Sequence, residues 1–186
     1  MSVNQSPRPE FSRPIGRERL AEAPLKESIR ATADERRALA RRLELVALDG
    51  LSAEFDLMPG QGNGLLGIHG RLATTVTQLC VITLEPMKTT LNESFEVVYA
   101  FEDGAADACR MRAGLDTDEE LPEVIGPEGL DFGELAAQYL SLALDPFPRQ
   151  PGIGLEDVWS GAGEKVEPDK EEPSPFAVLA RWRAER

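Results

Sequence analysis

The chain has 186 residues, 41% hydrophobic and 6% aromatic, which suits one ordinary domain with tails and leaves no apolar run near the roughly 18 residues of a membrane span. A formal charge of −13 argues against a protein that wraps nucleic acid with its whole surface. The charge is uneven, because residues 1–50 hold ten Lys or Arg against eight Asp or Glu, a net of +2, and the other 136 residues carry −15.

Residues 1–9 are polar and proline-bearing, with no apolar signal region. They are expected to be disordered, and the protein cytoplasmic. Phe11-Ser12-Arg13-Pro14-Ile15 reads as an edge strand, where the missing proline N–H does no harm. Leu25 to Ala31 is a second short strand. Thr32 and Glu35 have the spacing of a capping box, which predicts a helix over Ala33 to Leu43. Arg36, Arg37, Arg41 and Arg42 decorate it, as a solvated face or as a patch for RNA or an acidic partner.

Leu51, Ala53, Phe55 and Leu57 alternate with polar residues and predict a strand. From Leu66 the even positions Leu66, Ile68, Leu72, Val76, Cys80, Ile82 and Leu84 are apolar, and the odd ones include His69, Arg71, Thr75, Thr77 and Thr83. A long strand to Leu84 is expected, its polar face outward. Beyond Pro86 the apolar phase moves to Leu91, Phe95, Val97, Tyr99 and Phe101, giving a second long strand over 91–101. Gly60 to Gly64 suits a hairpin loop and lacks the Lys-Ser/Thr ending of a phosphate loop.

Residues 102–129 read as a long acidic loop, in which Asp116, Asp118, Glu119 and Glu120 do not have the spacing of an EF-hand. Asp131 and Glu134 signal a second helix start, with Phe132, Leu135, Ala136, Tyr139, Leu140 and Ala143 as its buried stripe. Pro146 stops that helix. An acidic linker over 153–173 and a short helix over 174–186 complete the chain. The expected architecture is thus α+β: a single domain over 10–152 built on an antiparallel sheet, open or partly closed into a barrel, with two or three packed helices.

The segments Gln78 to Pro86, Leu130 to Leu144 and Asp145 to Gly152, preceded by Phe11-Ser12-Arg13-Pro14 and Glu35 to Ala40, resemble the YceD family, the large ribosomal RNA subunit accumulation proteins. The likeness runs over roughly residues 10 to 183 and is to the proteobacterial branch. It rests on Gln78, Cys80, Leu84, Glu85, Pro86, Asp131, Gly133, Glu134, Asp145, Pro146, Pro148 and Arg149. The resemblance implies a non-enzymatic bacterial protein of ribosome biogenesis that supports large-subunit rRNA accumulation. Many members carry Cys-x-Arg-Cys-Leu-Glu-Pro and a second cysteine cluster; here Thr83 replaces the second cysteine and residues 145–152 hold no thiol. Cys80, Cys109 and one histidine are too few for a tetrahedral zinc site, so neither metal nor cofactor is expected and both cysteines are read as reduced.

Two binding readings follow. In the first, the chain is an assembly factor that contacts a ribosomal protein or large-subunit rRNA precursor, through the basic N-terminal third or the acidic remainder. The other is an acidic interaction module unrelated to ribosomes that recruits a partner through Phe176 to Trp182. For an enzyme the chain lacks nucleophile-elbow and metalloprotease motifs. Glu85 and Asp131 are the carboxylates from which a pair could be assembled; capping and turn roles are the other reading.

Overall fold

The computed structural model describes residues 9–60, 64–101 and 122–154, and the chain divides into a unit over Met1–Gln150 and a second from Pro151. Residues 1–8, the centre of the Gly60 to Gly64 loop, Cys109, the acids at 116–120, most of the linker and the C-terminal helix of the sequence reading lie outside the described residues.

In chain order the elements are β1 (Pro14–Ile15), α1 (Arg17–Leu20), β2 (Leu25–Arg30), α2 (Ala33–Arg42), β3 (Ala47–Pro59), β4 (Leu65–Leu79), β5 (Pro86–Phe101), β6 (Glu123–Ile125), β7 (Leu130–Asp131) and α3 (Phe132–Ala143). The main sheet has the order β2-β3-β4-β5-β6, antiparallel except that β6 runs parallel to β5. It is open, with edges β2 and β6, so the barrel alternative is corrected. The expected N-terminal edge strand is also corrected, since β1 pairs with β7 in a separate ribbon. β6 itself lies inside the stretch read as loop.

β3 carries a bulge that reconciles its two apolar phases. Leu48 is buried on an even position and Leu51, Ala53, Phe55 and Leu57 on odd ones. The register jumps from Asp49–Thr75 to Ser52–Ala73, so Gly50 and Leu51 face the single residue Thr74. Gly50 has φ +66°, where a side chain is strained, and the Thr74 hydroxyl donates to the Asp49 carbonyl at 3.0 Å.

The inward phase of β4 holds through Val76, but the strand ends at Leu79 rather than Leu84. Cys80 N–H donates to the Glu85 carbonyl and Leu84 N–H to the Cys80 carbonyl, both at 2.9 Å, closing a turn in which Leu84 takes φ +59°. Leu84 is therefore exposed, not on a core face. β5 begins directly after the turn and runs five residues longer than read. Thr77 departs from expectation too: it is buried, and its hydroxyl has no hydrogen-bond partner among the described residues. Its strand neighbours are Ala47 and Lys88, and Lys88 Nζ lies 3.6 Å from Asp49, so the lysine stem spans the strand between them.

α2 packs on β3, and α3 on β4 and β5, within one core. Phe55 stacks on Phe132 at 4.6 Å and meets Phe95 edge-on at 6.1 Å; Phe95 stacks on Tyr139. Burial of side chains of this size contributes about 1.5–3 kcal/mol each.

Candidate functional site

The basic helix begins at the expected cap. Thr32 Oγ1 accepts from Glu35 N–H at 3.3 Å, and Glu35 Oε2 accepts from Thr32 N–H at 2.7 Å. Its four arginines then separate. Arg42 makes a two-pronged pair with Glu134 at 2.7 and 3.0 Å and reaches Glu10 at 3.1 Å, so it ties α2 to α3. Arg37 pairs with Asp34 on the same helix, and Arg36 donates to the Ala31 carbonyl at 2.9 Å. Arg41 has no ion-pair partner among the described residues. Arg36, Arg37 and Arg41 line an open groove of about 670 Å³ between α2 and the start of β3, with Leu45, Val46, Ala47 and Leu48 along it and Asp34 and Asp49 among its walls. Such a groove offers guanidinium groups to phosphate or carboxylate beside an apolar strip.

Two junctions gather the motif residues quoted above. At the first, Asp131 Oδ1 accepts from the N–H groups of Arg13, Gly133 and Glu134 at 2.7, 2.9 and 3.2 Å, and its Oδ2 from Ser12 Oγ at 2.5 Å. Arg13 forks onto both oxygens of Glu35, at 2.8 and 3.0 Å, and donates to the Arg30 carbonyl. The Arg13 guanidinium holds the Glu35 carboxyl down to about 2, assisted by Thr32 and opposed by burial. Gly133 is needed because a Cβ there would stand 2.4 Å from the Phe11 carbonyl oxygen. Asp131 caps its helix as the spacing predicts. Its hold on Ser12 and Arg13 has no signal in sequence, since the partners are more than a hundred residues away.

The second junction joins the β4–β5 turn to the segment after α3. Gln78 Nε2 donates to the Asp145 carbonyl at 3.0 Å, Val81 N–H to the Pro148 carbonyl at 2.8 Å, and Gln150 Nε2 to Glu85 at 3.3 Å. Asp145 Oδ1 accepts from Phe147 N–H, Pro148 is buried, and Arg149 is exposed. The buried Cys80 sulfur accepts from Gln150 N–H at 3.5 Å. Its thiol is held down to about 7 by the Thr83 hydroxyl, then by backbone N–H groups of Thr83, Gln150 and Ile82, against burial. Sequence pointed to both segments but not to Gln150 as the residue that bridges them.

The two carboxylates weighed for catalysis are not brought together: Glu85 belongs to the turn junction and Asp131 to the helix junction. His69 faces outward beside Asp56 and Glu96 in register. No group of three or more His, Cys, Asp or Glu side chains placed to hold a metal occurs among the described residues. No helix among them is long and apolar enough to cross a membrane.

The family model described as large ribosomal RNA subunit accumulation protein YceD matches residues 68–181. That span covers the β4–β5 turn, α3 and the segment docked on the turn, and it excludes the arginine groove. No curated protein and no solved structure matches the chain.

Proposed function

Because the chain belongs to the YceD family, described as large ribosomal RNA subunit accumulation proteins, we propose that it supports large-subunit rRNA accumulation by binding, without chemistry of its own, RNA or a ribosomal protein. The family match over residues 68–181 is the observation that carries this reading. Supporting the absence of chemistry, the candidate carboxylates are engaged in structural hydrogen bonds, and the Cys80 sulfur is buried under backbone donors. For the RNA contact, the groove of Arg36, Arg37 and Arg41 gathers three guanidinium groups that can bind phosphate, within a chain whose formal charge is −13. For the protein contact, the acidic remainder attracts a Lys/Arg-rich surface.

The test is capture of the full chain from its native lysate, with both RNA and protein identified in the eluate. Precursors of the large ribosomal subunit are expected there. An eluate without ribosomal particles overturns the proposal.

A further inference from the structure

β5 is far longer than the strand that covers its outer edge. β6 pairs only with Tyr99, Ala100 and Phe101, so among the described residues nothing pairs with the outer edge from Pro86 to Val98. Parity along the strand says which backbone groups that edge presents. Cys80 N–H donates to the Glu85 carbonyl and Phe101 N–H to the Gly64 carbonyl, so odd residues of this segment point toward β4. Even residues therefore turn their N–H and C=O outward, and Pro86, which has no N–H to offer, falls on that set. The side chains of all even residues from Pro86 to Val98 are also exposed. An edge of this kind is a template for another strand.

Other features narrow the choice of strand. The opposite edge, β2, has six residues, carries Lys26 and Arg30, and has its Arg30 carbonyl occupied by Arg13. It is defended in the usual way, by shortness and charge. The β5 edge carries opposite charges instead, Lys88 toward one end and Glu96 toward the other. Asn92 is the midpoint both of the open stretch and of that charged pair.

We propose that two copies of the chain associate through this edge, β5 against β5, antiparallel about a twofold axis at Asn92. In that register Lys88 of each copy lies opposite Glu96 of the other, Thr90 opposite Ser94, and Pro86 opposite Val98. From Lys88 to Glu96 the even residues then meet as hydrogen-bonded pairs, and the ladder ends at Pro86, which has no N–H to give the Val98 carbonyl, just before β6 takes over the edge at Tyr99. Lys88 is free to turn toward Glu96 because its existing partner, Asp49, is 3.6 Å away in an exposed pair. The two sheets become one continuous sheet, closing both exposed edges at once. This pairing stands apart from the ribosomal reading and does not depend on it.

Sedimentation velocity on the full chain over a concentration series reads the association. A concentration-dependent dimer is expected, and a monomer at the highest soluble concentration overturns the proposal. Lys88→Glu or Glu96→Lys alone places like charges opposite each other twice per dimer and weakens association about tenfold, while the double exchange restores it. Unchanged association in the single variants overturns the register. On a Cys109→Ser background, Asn92→Cys puts two thiols on the axis, with Cα atoms about 5.5 Å apart and within disulfide reach. Oxidation is expected to link that variant as a dimer and to leave Lys88→Cys unlinked. Linking at position 88 with none at 92 overturns the axis.

Discussion

Asp131 holds the start of α3 to the N-terminal segment with one carboxylate. Replacing it by Ala strands the Ser12 hydroxyl and three backbone N–H groups in a partly buried junction, so a loss of about 2–3 kcal/mol is expected. A lower urea midpoint at unchanged slope checks this. Beside it, Glu35 carries a pH signature. Its carboxyl titrates near 2 in the folded chain because Arg13 grips it, against an ordinary value of 4.5, so the unfolded chain takes up the proton first. The stability it confers is present above pH 4.5 and is lost as pH falls toward 2. With a fifth of its side chain exposed, that contribution is about 1–2 kcal/mol after solvent screening. Glu35→Gln is expected to be less stable at pH 7 and to lose less on acidification; parallel losses for the two proteins between pH 5 and 2 would refute the assignment.

The sheet offers a sharper contrast at the scale of an element. Val76 is 1% exposed on the core face of β4, whereas Thr75 next to it is half-buried on the outer face, within 3.4 Å of the Thr90 hydroxyl. Val76→Asp buries an unpaired charge and is expected to cost more than 3 kcal/mol, or to prevent folding. Thr75→Asp is expected to cost under about 1 kcal/mol, and equal losses in thermal melts would refute the phase. That phase was legible because alternation at period two is a local property, as were the Thr32 and Asp131 caps and the stripe of α3. The end of β4 was not, because Cys80, Ile82 and Leu84 continue the alternation through a turn, and the left-handed backbone there falls on a leucine rather than a glycine. Three residues of β6 amid acidic sequence carry too short a pattern to read. The docking of residues 145–150 on that turn joins positions some seventy apart, and what fixes it is the Gln78, Val81 and Gln150 hydrogen bonds.

Across the whole molecule, the competition is between a small cationic groove and a large opposing field. Exposed charges are screened beyond roughly 8–10 Å at physiological ionic strength, so a phosphate seated among Arg36, Arg37 and Arg41 feels those guanidinium groups more than the distant excess of carboxylates. If RNA is held there, neutralising about three phosphates gives a slope of log affinity against log salt of about −2 to −3. Changing Arg36, Arg37 and Arg41 together to Ala is expected to abolish most of that slope and of the RNA recovered, with the circular dichroism unchanged. Arg42 is left out because its pairs with Glu134 and Glu10 make its loss a question of stability. The counterpart neutralises Asp116, Asp118, Glu119 and Glu120 to their amides, in sequence outside the described residues, and is expected to weaken capture of a basic ribosomal protein. Particle capture lost in the arginine variant but kept in the amide variant assigns recruitment to RNA, and the reverse assigns it to protein. Capture unaffected by either would place the contact on neither charge cluster and leave the groove without the role argued for it.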